Sequence, residues 1–304
     1  MSRRGVVFAA VAVLCAPVLT ATGALAAPAD GGVVAWGATD YGAVPAPPET
    51  GAGVTAVSAG SLDTLAIRNG GVFAWGDNNF GQTEVPAEAT SGVSRIASGW
   101  AHELALKNGK VLAWGNDWYG QTAVPAAAAS GVVDIATTAQ HSLALRQGGQ
   151  VISWGTRSDV PPAAQSGVSA IAAGGDHNLV LKNGGVLAWG ANTYGQSTVP
   201  AAATAGVTMI SAGYNHSLAL KDGGVLAWGA NDEHQTEVPA AALSGVVAIE
   251  AGWSHNLALK STGEVVAWGS DLSGETSGVP VFCGPVLAIS AGDRTSNAVS
   301  AKLC

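Results

Sequence analysis

Seven Trp-Gly pairs recur along the 304-residue chain, at Trp36, Trp75, Trp114, Trp154, Trp189, Trp228 and Trp268. They stand 39, 39, 40, 35, 39 and 40 residues apart. A period near forty means one small unit copied seven times. Each copy is too short to bury a core alone, so the copies must pack on one another.

The unit reads clearly over residues 205–239. Four short apolar runs, Gly206–Ile210, His216–Leu220, Gly224–Gly229 and Thr236–Pro239, are separated by Gly, Asn and Asp. Runs of this length between turn formers predict strands, and no capped helical period appears beyond the N-terminus. Each copy is therefore expected to be a four-stranded antiparallel blade. The fourth strand, Thr-x-Val-Pro, would lie at the edge, where proline removes no ladder bond.

The ends of the array select its architecture. The first copy begins at Gly32-Val33-Val34-Ala35-Trp36-Gly37, a third strand without its first two. The last stops after a second strand, at Leu303-Cys304. Pairing these half-repeats completes a seventh blade, which a ring requires and an open stack does not. The expected fold is all-β: a seven-bladed β-propeller closed by its N- and C-terminal half-repeats, over residues 27–304.

Cysteine usage agrees. Paired residues of an antiparallel hairpin share one midpoint. The last hairpin turns around Gly292–Thr295, and Cys283 and Cys304 have that same midpoint. The two are expected to face each other and form a disulfide. Closing a loop of about twenty residues would stabilise the fold by roughly 3 kcal/mol.

Residues 1–26 read as a secretory signal peptide, with Arg3-Arg4, an apolar run from Val6 to Leu19 and an Ala24-Leu25-Ala26 cleavage site. The run is too short for a spanning helix. Secretion suits a disulfide. Removing Arg3 and Arg4 leaves 11 basic against 21 acidic residues, a charge of −10. That disfavours nucleic acid as a partner.

One end of the propeller should differ from the other. Turns between second and third strands carry Arg68, Lys107, Lys182 and Lys221 beside glycines, a solvated scaffold. The opposite loops hold the three tryptophans outside the ladder (Trp100, Trp118, Trp253), all four tyrosines (Tyr41, Tyr119, Tyr194, Tyr214) and Phe80. Ten acids fall there too: Asp40, Asp63, Asp77, Asp117, Asp176, Asp232, Glu233, Asp271, Glu275 and Asp293. Trp and Tyr dominate interface hot spots, so this face is expected to bind a partner. Tyr41, Phe80, Tyr119 and Tyr194 share one repeat position, so packing on the blades competes with binding there. Trp100, Tyr214 and Trp253 share another that is not aromatic in the remaining copies.

Five histidines (His102, His141, His177, His216, His255) occupy one repeat position, replaced by Asp63 and Thr295 in two copies. A sevenfold ring holds such residues apart, whereas metal ligands converge on one point, so no metal site is expected. Their expected role is to tie a turn to the backbone. No nucleophile motif, zinc-protease motif or phosphate loop occurs, and no carboxylate pair stands out for glycoside hydrolysis. The chain is expected to be neither an enzyme nor a cofactor binder.

The pattern Ala-Gly-x-x-His-x-Leu-Ala-Leu-Lys-x-Gly-x-Val-x-Ala-Trp-Gly-x-Asn resembles the regulator-of-chromosome-condensation repeat. The short period and Gly-Gln-Thr-x-Val-Pro-Ala (Gly81–Ala87, Gly120–Ala126) are similar to the propeller-type β-lactamase inhibitory proteins of type II. The resemblance covers the whole mature chain. It implies a secreted monomeric propeller whose loop face covers the active site of a class A β-lactamase by steric occlusion. Aromatics commonly precede the His position in that family; here Leu62, Ala101, Gln140, Asp176, Asn215, Ser254 and Arg294 stand there, and the loop after Trp154 is short. Expected anchors are Trp100, Trp118, Tyr119, Tyr214 and Trp253, with Asp117, Asp176 and Asp232 assisting. A lectin-like or cell-envelope module is the alternative, since aromatics and carboxylates also suit sugars.

Overall fold

The computed structural model describes residues 31–156 and 158–301. The leader, Arg157 and Cys304 lie outside them. The described residues form seven three-stranded antiparallel sheets. Blades 1 to 3 comprise Val54–Ala59, Asp63–Arg68 and Gly71–Gly76; Val93–Ser98, His102–Lys107 and Lys110–Gly115; and Val132–Thr137, His141–Arg146 and Val151–Gly155. Blades 4 to 6 comprise Val168–Ala173, His177–Lys182 and Gly185–Gly190; Val207–Ala212, His216–Lys221 and Gly224–Gly229; and Val246–Ala251, His255–Lys260 and Val265–Gly269. Blade 7 takes Val286–Ala291 and Thr295–Ser300 from the end of the chain and its outer strand, Gly32–Gly37, from the beginning.

The fourth strand expected in each blade does not form, and the reason is local. The Thr and Val of Thr-x-Val-Pro spend their N–H groups nearby. Thr122 N–H donates to Asp117 Oδ1 (2.9 Å) and Val124 N–H to the Thr122 carbonyl (2.8 Å). Proline has no N–H, and the next residues close a 3-10 turn, as at Ala126–Ala128. No donor is left for a ladder with the outer strand.

Apolar residues of the middle strands face both neighbours, so the core lies between blades. Leu65, Leu104, Leu143, Leu179, Leu218 and Leu257 share one repeat position and are fully buried. Full burial of such a side chain stabilises by about 1.5–3 kcal/mol. Blade 7 has Asn297 there, buried with neither side-chain polar atom hydrogen-bonded.

The glycine of each Trp-Gly pair answers to close approach. Gly76 has φ +112°, and a Cβ there would lie 2.5 Å from the Leu62 carbonyl oxygen. Six ladder indoles are buried and cross the junction to a backbone carbonyl of the preceding loop. Trp154 and Trp228 donate to Gln121 O and Gln196 O at 2.7 and 2.9 Å, and Trp36 to Glu275 O at 3.0 Å.

Candidate protein-binding face

The turn between inner and middle strands carries a belt of bonds around the axis. Ser61 N–H donates to Gly99 O (3.0 Å), Trp100 to Thr138 O (2.7 Å), Gly175 to Tyr214 O (3.0 Å) and Tyr214 to Trp253 O (3.2 Å). Trp253 donates to Gly292 O (2.9 Å) and Asp293 to Gly60 O (3.3 Å). At the remaining junction the Thr138 hydroxyl donates to Gly174 O (2.6 Å). Every junction, including that between blades 7 and 1, is stitched. Six repeat-equivalent residues, Ser61, Trp100, Ala139, Tyr214, Trp253 and Asp293, ring the mouth of an axial cavity; the seventh copy has Gly175.

Five predicted aromatics fall into two clusters at this mouth. Phe80 lies 5.0 Å from Trp118, edge to face, and 5.7 Å from Trp100; Trp100 and Trp118 are 6.5 Å apart. Tyr214 and Trp253 stack with centroids 4.1 Å apart and planes 15° apart. Tyr214 leans over Gly175, where a Cβ would meet its ring at 2.7 Å. Trp118 is the outermost of the five, 69% exposed. Tyr41, Tyr119 and Tyr194 are exposed and make no ring–ring contact among the described residues.

The loops that present these rings are pinned by one buried side chain. Gln82, Gln121 and Gln196 accept the N–H of Phe80, Tyr119 and Tyr194 at 2.9, 2.8 and 2.9 Å. Gln235 and Glu275 do the same for Glu233 and Ser273. Tyr119 and Tyr194 are thereby held on exposed loops, and Tyr41, with Ala43 at the glutamine position, is exposed without such a pin; Phe80 packs against aromatics of the face. The glutamine recurs at one repeat position in the sequence, but the bond it makes depends on the fold of its loop.

The acids divide. Asp63, Asp77 and Glu275 are buried and leave the expected surface set. Asp77 accepts from the side chains of Asn79 (2.6 Å) and Gln82 (3.0 Å), and Glu275 pins its own loop. Asp117 is exposed, yet one oxygen is committed to Thr122 N–H. Asp232 is exposed at the repeat position of Trp118, and Asp176 is half-buried beside His177. Asp271 is exposed, its pKa held at about 2 chiefly by the backbone N–H of Ser277.

The histidines are structural, but they reach the neighbouring blade rather than the backbone of a turn. Nε2 of His102, His141, His177, His216 and His255 bonds Ser142, Asn178, Ser217, Asn256 and Ser296 of the next blade at 2.7–3.1 Å. Ser142, Ser217, Asn256 and Ser296 donate in turn to the loop carbonyl that also receives the ladder indole. Burial pushes His102 and His177 down to about 3, and His216 and His255 to about 4, so they are neutral at physiological pH. Among the described residues no cluster of His, Cys, Asp and Glu could hold a metal ion.

Residues 54–82, 168–196, 207–235 and 246–275 match the model of the regulator of chromosome condensation (RCC1) repeat. No curated protein matches the chain. Among solved structures it is similar to Prp20p of Saccharomyces cerevisiae, at 18% identity and a TM-score of 0.71 over 90% of this chain and 92% of that one. Yeast RCC1 (Prp20) bound to Kap60 gives 18% and 0.74 over 100% and 96%, and human WBSCR16 gives 20% and 0.70 over 89% and 100%. Four segments of the chain thus match the RCC1 repeat, and the solved structures, at 18–20% identity, show that it shares their β-propeller fold.

Proposed function

We propose that the protein is a secreted, monomeric, non-catalytic propeller that binds a protein partner through its aromatic face. The observation that carries this reading is the pair of clusters, Phe80–Trp100–Trp118 and Tyr214–Trp253, gathered at one end and left partly open to solvent. Large aromatics at the centre of a face are the usual source of binding energy, about 2 kcal/mol or more each. Prp20p, a propeller of the same fold, was crystallised in work on its binding to Gsp1p and histones, so protein binding is within the repertoire of this architecture. The sequence resemblance makes a class A β-lactamase the specific partner, held by steric occlusion. Removal of residues 1–26 and a Cys283–Cys304 bridge complete the proposal. Cys283 is disulfide-bonded, and Cys304 lies outside the described residues.

Two observations weigh against other classes. The one carboxylate pair of note, Asp63 with Glu103, is sealed from solvent and out of reach of a substrate. Tyr214 and Trp253 stack on each other, which uses ring faces that a sugar would need.

The test is titration of the mature protein against a panel of class A β-lactamases, following substrate hydrolysis. Stoichiometric inhibition weakened at least thirtyfold by Trp118→Ala, or by Trp253→Ala, supports the reading. No inhibition by micromolar protein rejects the β-lactamase. Binding to glycan arrays that depends on the same tryptophans would reassign the face.

A further inference from the structure

The axial cavity beneath the aromatic rim has its own chemistry. Its volume is about 230 Å³, and inner strands of all seven blades line it. That lies below the ~300–1,000 Å³ of pockets for drug-sized ligands and suits a guest the size of one side chain.

Four charged residues line it: Arg95, Asp134, Glu250 and Asp293. Arg95 is paired with Asp134, its Nε 3.4 Å from Oδ1 and donating to Val133 O at 3.0 Å. Asp293, at the rim, accepts from the Ser61 hydroxyl at 3.2 Å. The side chain of Glu250, on the inner strand of blade 6, makes no hydrogen bond or ion pair among the described residues. The other blades place Ser58, Ala97, Ala136, Ala172, Ser211 and Ser290 at its position, so neither flanking inner strand offers it a charge. It faces the cavity rather than bulk water, and desolvation alone raises its pKa to about 8. Three residues further along the chain stands Trp253, stacked on Tyr214, with Trp100 elsewhere on the rim.

A carboxylate lacking a counter-ion, beneath an aromatic mouth, is complementary to an organic cation: the acid neutralises its charge and the apolar rings of the rim flank its alkyl stem. We propose that the axial cavity binds an alkylammonium or alkylguanidinium group, which enters past Trp100, Tyr214 and Trp253 and ends against Glu250. The site shares three rings with the protein-binding face, but it requires no protein partner.

Binding needs ionised Glu250, so a proton leaves as the cation enters. Apparent affinity should rise about tenfold per pH unit from pH 6 to near 8 and then level off. An alkylammonium resembling lysine stays charged over that range.

The mature protein is titrated with butylamine, butylguanidinium and, as a neutral control, butanol, following tryptophan fluorescence and calorimetry. Saturable binding of the cations, absent for butanol, rising with pH and lost in Glu250→Gln, supports the site. The tripeptide Gly-Lys-Gly separates two sources: binding as tight as butylamine assigns the site to a protein side chain, and weaker binding to a free amine. Equal binding of butanol, no saturable binding of either cation at millimolar concentration, or undiminished binding by Glu250→Gln would overturn it. Should the variant fail to fold, the unaltered protein decides: cation affinity that climbs between pH 6 and 8 supports the site, and affinity independent of pH overturns it.

Discussion

The carboxyl groups of Asp63 and Glu103 meet across the junction of blades 1 and 2, where five other junctions set a histidine against a serine or an asparagine. Both are fully buried, and Ser98 Oγ donates to Asp63 Oδ2 at 2.9 Å. Burial raises Asp63 to about 7, and burial together with the Asp63 charge raises Glu103. The pair therefore holds a proton where the unfolded chain does not. Stability from this pair is lost as pH rises through 7. Glu103→Gln keeps an N–H donor for the Asp63 carboxylate and removes the second acid. Its melting temperature should match the parent at pH 5.5 and exceed it at pH 8.5; equal melting temperatures at both pH values would refute the shared proton.

Whole-chain stability should show a plateau with two falling limbs. Four buried histidines, pushed down to about 3–4 against an unfolded value near 6.5, give stability that is lost as pH falls below 6.5. Asp63, Asp134 and Glu250, pushed up to about 7, 6 and 8, together with Glu103, give stability that is lost as pH rises from about 4. From about pH 4.5 to 6.5 the two sets oppose each other. Above 6.5 the acids act alone, and below 4 the histidines do. Urea midpoints from pH 3.5 to 9 should be flat in the middle and drop at both ends; a monotonic rise to pH 9 would contradict this.

One junction is incomplete. Trp189 is the only ladder indole that is half-buried rather than buried, and its Nε1–H has no acceptor. Nδ2 of Asn178 beside it is also unbonded, whereas its counterpart in Asn256 donates to Gln235 O. The loop after Trp154 is short and has no residue to match that glutamine. Trp228→Phe breaks a bond to Gln196 O that Trp189→Phe does not have. The first should cost about 1–2 kcal/mol more than the second in denaturant titrations.

Asn297 occupies the leucine position of blade 7 between Ser290 and Ala35, the residue types that flank Leu65 and Leu218. Asn297→Leu removes a buried, unbonded amide and fills the site as six other blades do. It should stabilise the protein by about 2 kcal/mol or more. A lower urea midpoint would show that the amide has a role.

The period, the seven blades and the pairing of the terminal half-repeats were legible because they follow from spacing alone. Thr-x-Val-Pro was misread because its β-rich composition matches a strand, while its N–H groups are claimed by residues five positions earlier and by its own turn. The face was legible as a set of aromatic positions. Its division into two clusters was not, because Phe80, Trp100 and Trp118 come from two blades and meet only through the loop geometry that buried glutamines fix. Glu250 carried a signal, the one acid at a position otherwise Ser or Ala, but a cavity had to be seen before that acid acquired a meaning.

Trp36, the first indole of the ladder, docks on the carbonyl of Glu275, 239 residues later. A chain emerging from its N-terminus must therefore keep the strand Gly32–Gly37 unpaired until almost everything else has been made. Six blades are local and free to assemble in order; the seventh waits for the end. Closure is the slow, long-range step, and the waiting edge is the part most exposed to mispairing with another chain.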